Sequence, residues 1–290
     1  MNRPYALSLV TTNDEAYKIA EALGFSEIME ALAVSIFEVD TKTSRIEALY
    51  ETKKEAVLAK ESLNLSPLQD YTINRTADED WVTLSQKGLS PVKAGRFWVH
   101  GSHDADEIPP NIPHPILIDA GLAFGTGHHG TTKGCLIIYD KLLNDGLRPN
   151  NILDLGCGAG TLAIAAAMAC DTGCSILATD MDNDAVEVTE ENAKLNHVNG
   201  QIDVALADGF DAPVFKDRHF DLIFANILAG PLMSLAADIV NAMNQNGHVI
   251  LSGIIDELAD QVADRFEQEG LSISPQPSIE GWTSLLGVKA

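Results

Sequence analysis

From residue 113 onward, short apolar runs alternate with longer stretches in which apolar residues recur every three or four positions. The runs are NILDLG (151–156), SILATD (175–180), IDVALAD (202–208), FDLIFAN (220–226) and GHVILSG (247–253). Most lack the alternating polarity of a half-exposed strand, so they predict parallel strands covered on both faces. Between them, GTLAIAAAMAC is rich in alanine and DAVEVTEENAKLN opens on an aspartate suited to capping. PLMSLAADIVNAM opens on a proline fit for a first helical turn, and DELADQVADRFEQEG stops at a glycine. This alternation predicts an α/β fold, a doubly wound Rossmann-like domain over 113–290. The tail, LSISPQPSIEGWTSLLGVKA, reads as two short strands about a turn bearing Pro and Gly, closing the sheet with an antiparallel element.

The first 75 residues carry a different pattern. A strand, YALSLV, precedes a helix from about Asp14 to Leu23, with Ala16, Ile19, Ala20 and Leu23 on one stripe and Gly24 as its stop. Strands ALAVSIFEV and SRIEALYE flank the polar turn DTKT, a second helix follows near 53–63, and QDYTINR ends the unit. The order βαββαβ predicts a small ferredoxin-like α+β domain over 1–75. TADED marks its boundary, and 76–112 reads as a linker with one strand at GRFWVHG and prolines at its close. His100, His103 and His114 are expected to make local hydrogen bonds rather than bind a metal.

At 290 residues, 46% hydrophobic and 21% charged, the chain supports two cores. It has no run of about 18 apolar residues able to span a bilayer, and MNRPYALSLVTTNDEA is unlike a secretory signal. Cys135, Cys157, Cys170 and Cys174 lack paired CxxC spacing and read as reduced, buried thiols. A cytoplasmic protein with no membrane association is expected. The net charge is −23, and residues 113–290 hold 24 acids against 8 bases, which disfavours direct nucleic-acid binding. It leaves open a basic protein partner or simple solubility.

Two stretches suggest chemistry. In GLAFGTGHHGTT (121–132), His128 and His129 are adjacent, whereas paired metal ligands usually lie three or four residues apart, so no metal is expected. ILDLGCGAGTLAIAA places Gly156, Gly158 and Gly160 where a buried strand gives way to a helix, a corner that lets a nucleotide approach the main chain. Asp180 ends the next strand, where an acid can accept bonds from both ribose hydroxyls. A dinucleotide or S-adenosylmethionine fits such a corner. The spacing is G-x-G-x-G rather than the dinucleotide G-x-G-x-x-G, and Asp154 precedes the first glycine by two residues. A carboxylate there opposes a pyrophosphate and attracts a sulfonium and an ammonium. Its other reading is an acceptor for turn amides. Asn226, at the end of FDLIFAN, adds an uncharged amide to the same crevice, or else forms an Asx turn.

DLGCGAGTLAIAA, ATDMDNDAV and ANILAGPL, preceded by DAGLAFGTGHHGTT, resemble the PrmA family, the methyltransferases of ribosomal protein L11. The resemblance is strong over about 113–253 and weaker but ordered before it. It implies S-adenosylmethionine as cofactor, lysine and N-terminal amines of L11 as acceptors, and residues 1–75 as a substrate-recognition domain. It assigns cofactor contact to Thr132, Gly156, Asp180 and Asn226, with Asn226 also catalytic, and Gly158 and Asp154 join them from the corner itself. Phe124, Gly125 and Thr126 would form a lid over the methionine part, and Asp208 would touch the adenine. Thr131 or Thr132 would cap the following helix, whose packing stripe is Leu136, Tyr139, Leu142 and Leu143. His128 and Gly130 replace the Thr and Pro of the commoner GTGTHPTT. The alternatives are another protein or small amine as acceptor, a non-catalytic S-adenosylmethionine-binding adaptor, and a nicotinamide-dependent oxidoreductase, which the glycine spacing disfavours.

Overall fold

The computed structural model describes residues 4–24, 31–39, 42–63, 71–75, 91–119, 130–170 and 173–290. The chain divides into two units, Met1–Gly88 and Leu89–Ala290.

In the first unit, β1 (Tyr5–Thr12), α1 (Asn13–Gly24), β2 (Ala33–Glu38), β3 (Thr43–Tyr50), α2 (Lys53–Ser62) and β4 (Tyr71–Arg75) follow in the expected order. The sheet order is β2-β3-β1-β4 with every neighbour antiparallel, the ferredoxin-like arrangement. Alternate residues Leu7, Leu9, Ile46, Ala48 and Tyr50 bury one sheet face, and Ala16, Leu23, Ala56 and Ala59 of the helices join the same cluster. Thr52 and Glu55 form a reciprocal capping box that starts α2.

The second unit begins with a small sheet. The stretch expected to hold one strand holds two: β5 (Val92–Ala94) and β6 (Phe97–His100) form a hairpin, and β7 (His114–Leu117) lies parallel to β6. This sheet joins the main core through ring contacts. Phe97 stacks on Tyr139 of α3 (Gly130–Asn144), whose ring meets Phe224 edge-on at 5.2 Å, contacts each worth about 0.5–1.5 kcal/mol beyond burial. The carbonyl and N–H of Leu117 bond the side-chain amide of Asn196, a substitute for a neighbouring strand.

The main sheet and the helices that cover it follow in the order β8 (Asn151–Leu155), α4 (Thr161–Ala169), β9 (Ser175–Asp180), α5 (Asn183–Leu195), β10 (Ile202–Leu206), β11 (Phe220–Asn226), α6 (Ala229–Ser234), α7 (Ala236–Ala242), β12 (Met243–Ile255), α8 (Ala259–Gln268), β13 (Leu271–Pro275) and β14 (Trp282–Lys289). Its order is β10-β9-β8-β11-β12-β14-β13, parallel except for β14 and its antiparallel pairings with β12 and β13. Ile152 and Phe224 face one core, with α3 and α4, while Leu153 and Ile223 face another, with α6, α7 and α8. The strands are therefore apolar throughout because both faces are covered. α4 is buried at every position from Thr161 to Ala167, which accounts for its alanines.

Local details depart from expectation. The helix expected over PLMSLAADIVNAM starts two residues earlier and breaks at Leu235 (φ −89°, ψ 2°), a break that leaves Leu232, Ala236 and Ile239 all buried. The cap of α5 is Asp182, whose side chain accepts from the N–H of Asp184. Of the cysteines, Cys135 and Cys157 are buried and free, whereas Cys170 and Cys174 bring their sulfurs into contact, with Cα atoms 6.4 Å apart. Gly173, next to Cys174, has φ +119°. Among the described residues no helix is long and apolar enough to cross a membrane.

Candidate functional site

Three loops meet at the carboxyl ends of the parallel strands, where open α/β sheets bind ligands. The first follows β8. Gly156, Gly158 and Gly160 hold φ of +70°, +55° and +79°, so the chain coils into a bare turn before α4. The N–H groups of Gly156 and Cys157 both donate to the Thr179 carbonyl, at 2.8 and 2.9 Å. From α5, Thr189 Oγ1 donates to the Gly158 carbonyl at 2.8 Å and Asn192 Nδ2 to that of Ala159 at 2.9 Å.

Asp180 ends β9 with both oxygens oriented. Oδ2 accepts from Gly158 N–H at 2.9 Å and Oδ1 from Asp182 N–H at 3.0 Å, and each retains a lone pair for a ligand hydroxyl. The N–H of Ala207 donates to the Asp180 carbonyl at 2.8 Å, which sets exposed Asp208 beside it beyond β10. Met181 and Leu206, 72% and 54% exposed, leave large apolar side chains open on the same edge.

Asp154 is buried in β8, and its Oδ2 accepts from Ala163 N–H at 2.9 Å. Burial pushes its carboxyl up to about 7; the Ala163 bond opposes that shift and the nearby charge of Asp180 adds to it. Asp154 thus accepts from an amide of α4 rather than from the turn amides expected for it.

The second and third loops come from β11 and β12. Asn226 Nδ2 donates to Thr132 Oγ1 at 3.2 Å, joining two of the expected residues. Thr132 is buried in the first turn of α3, which begins at Gly130, so neither Thr131 nor Thr132 stands before the helix as its cap. The Thr131 carbonyl instead accepts from buried Ser252 Oγ at 3.2 Å, and Ser252 bonds Ser284 at 2.9 Å. Ile227, just past Asn226, is wedged between neighbours: a Cβ on Gly253 (φ +83°) would lie 2.2 Å from the Ile227 carbonyl oxygen.

The structure thus gathers Gly156, Gly158, Asp180 and Asp208 at one corner and Thr132 and Asn226 at the next, with Asp154 buried behind them. Phe124, Gly125 and Thr126 lie outside the described residues, as do His128 and His129. The motif reading missed Thr189, Asn192, Ser252 and Gly253. Thr189 and Asn192 had a local signal, being polar residues three apart on a helix face that also buries Ala185 and Ala193. Ser252 had none, since its partner is 121 residues distant. Among the described residues no group of three or more His, Cys, Asp or Glu is placed to hold a metal.

These residues fit S-adenosylmethionine. A bare glycine turn, a fixed carboxylate with spare lone pairs, open apolar side chains beside it and a neutral amide match its methionine, ribose, adenine and reacting ends in chemical type.

A protein-family model described as Ribosomal protein L11 methyltransferase (PrmA) matches residues 7–290. The chain is 48% identical over 219 residues to a ribosomal protein L11 methyltransferase of Rhodopseudomonas palustris, covering 75% of this chain and 73% of that one. It is 41% identical over 273 residues to a protein of the same name from Brucella suis, covering 94% of each. Among solved structures, a ribosomal protein L11 methylase from Lactobacillus delbrueckii superposes with a TM-score of 0.58 at 27% identity, over 69% of this chain and 99% of that one.

Proposed function

The chain belongs to the ribosomal protein L11 methyltransferase (PrmA) family and is a methyltransferase, and on that premise we propose that it methylates lysine and N-terminal amines of ribosomal protein L11 in the cytoplasm, using S-adenosylmethionine. When bound, the cofactor supplies a methyl group on a positively charged sulfur. In this reading Gly156, Gly158, Asp180 and Asp208 hold its nucleoside side, and Thr132, Asn226 and the segment of Phe124, Gly125 and Thr126 its methionine side. Residues 1–75 recognise the substrate.

The amine must be neutral to react. A lysine of pKa about 10.4 needs about 4.6 kcal/mol to lose its proton at pH 7, an α-amine much less. A carboxylate beside the amine would hold its proton in place, whereas an amide oxygen orients the neutral amine without that penalty. The Asn226–Thr132 bond is the observation that carries this assignment. Asn226 gives one of its two amide N–H groups to Thr132, which fixes the side chain, and its oxygen is an acceptor suited to a neutral amine. Release of the proton to water and positioning of the amine supply the rest. The acids at 181–184, 207–212 and 256–260, with no Lys or Arg among them, support a basic substrate.

The test is incubation of the enzyme with labelled S-adenosylmethionine and a ribosomal extract from cells lacking it, followed by mass spectrometry. Label on amines of L11 is expected. Label confined to another protein, or none, overturns the assignment.

A further inference from the structure

Four non-glycine residues of the described chain adopt a left-handed backbone: His197, Asp217, Asn246 and Glu280. The first three are residue types that tolerate it, and glutamate is not. Glu280 (φ +56°) and Gly281 (φ +82°) are the central pair of the turn between β13 and β14, closed by Ile279 N–H to the Trp282 carbonyl at 2.9 Å and Trp282 N–H to the Ile279 carbonyl at 3.0 Å. Positive φ at both positions defines a type I′ turn, for which Asn-Gly is the relaxed sequence. Glutamate there stores backbone strain, and such outliers point to function.

The turn stands at the edge that carries the site. Asp256 anchors it, its Oδ2 accepting from Ser278 Oγ at 2.8 Å, its Oδ1 from Thr283 Oγ1 at 2.6 Å, and its N–H donating to the Gly281 carbonyl at 3.2 Å. Ile255 pairs with Trp282, so the turn rises at the carboxyl end of β12, as Asn226 does through its pairing with Ser252. Ile279 packs on the first residue of α3: a Cβ on Gly130 would lie 2.5 Å from the Ile279 carbonyl oxygen. Two residues further along α3 is Thr132, the partner of Asn226. Glu280 is exposed at the tip.

We propose that Glu280 is a selectivity residue: a carboxylate held at the rim of the site by a strained turn, where it attracts the cationic lysine-bearing segment of the protein substrate. This rests on the reading of the chain as an L11 methyltransferase. A carboxylate next to the reacting nitrogen would hinder deprotonation, so the role of Glu280 ends at approach, and it governs KM rather than kcat.

The test uses the full chain, purified ribosomal protein L11 and S-adenosylmethionine. Glu280→Gln, which keeps the strain and removes the charge, is expected to raise KM for L11 roughly two- to fivefold, the range of an exposed ion pair. Its kcat and its affinity for S-adenosylmethionine stay unchanged, and the difference fades at high salt. Glu280→Asp, which keeps the charge on a residue that tolerates positive φ, stays nearer the wild-type KM and melts higher. An unchanged KM in Glu280→Gln, a lowered kcat, or Asp behaving as Gln overturns the proposal while the parent reading stands. A wild-type enzyme that transfers no methyl to L11 overturns both.

Discussion

Asn226 and Thr132 lie 94 residues apart in sequence and share a hydrogen bond of 3.2 Å at the carboxyl edge of the sheet. The bond gives one N–H of the amide to the protein and fixes the side chain, whose oxygen is an acceptor suited to a neutral amine. That arrangement sets what the pair can do for an amine.

Removing the amide should therefore cost the reaction more than the fold. Asn226→Ala is expected to slow methyl transfer by far more than tenfold, toward the roughly hundred- to thousandfold loss typical of one positioned polar group in a catalytic site. Thr132→Val, which leaves the amide free to rotate, should slow it by roughly two- to tenfold, the worth of one net hydrogen bond. Single-turnover rates with thermal melts of each variant check both, and a rate equal to wild type in Asn226→Ala removes it from the mechanism.

Asp154 supplies a pH signature. Its carboxyl is raised to about 7 in the fold, against about 3.9 in an unfolded chain. The folded state therefore holds the extra proton, and this group's contribution to stability falls as pH rises from about 4 to 7. Asp154→Asn should flatten that part of the pH profile of Tm. A cationic cofactor favours the ionised carboxylate, so its binding near pH 6 should release a proton in the wild type and none in Asp154→Asn. Calorimetry in buffers of different ionisation enthalpy measures the difference.

Gly253→Ala should be severe. The new methyl would sit 2.2 Å from the Ile227 carbonyl oxygen, at a backbone φ of +83°. Left-handed strain alone costs about 1–3 kcal/mol, and relief of the clash must move Ile227 and its neighbour Asn226. A lower midpoint in urea together with a loss of methyl transfer is the expected result; a variant that folds and turns over normally contradicts it.

Deleting residues 1–75 tests the proposed separation of recognition from chemistry. Those residues fall within the first of the two units, and the residues proposed to hold the cofactor fall in the second. The shortened enzyme should bind S-adenosylmethionine with unchanged affinity by calorimetry and fail to methylate L11. Equal turnover would show that recognition lies in residues 76–290.

The sheet was legible because a strand covered on both faces leaves an unbroken apolar run, as in SILATD and FDLIFAN, whose ends coincide with β9 and β11. The glycine corner, Asp180 and Asn226 were legible because each sits where a run ends. The β5–β6 hairpin was hidden: its turn is Gly95 within VKAGRFWVH, too short to read as two strands. The break at Leu235 depends on which neighbours bury Leu232 and Ile239, and the Ser252–Thr131 bond on two strands and a helix meeting across the fold. Neither leaves a local periodicity.

The place of β14 between β12 and β13 has a consequence for synthesis. A chain made from its amino end produces β13 before the strand that must separate it from β12. Until residues 282–289 emerge, β13 has no native strand partner, and the flank of β12 that β14 covers is unpaired. The last strand made, β14, pairs with both β12 and β13, so the native sheet edge is completed only when the end of the chain is in place.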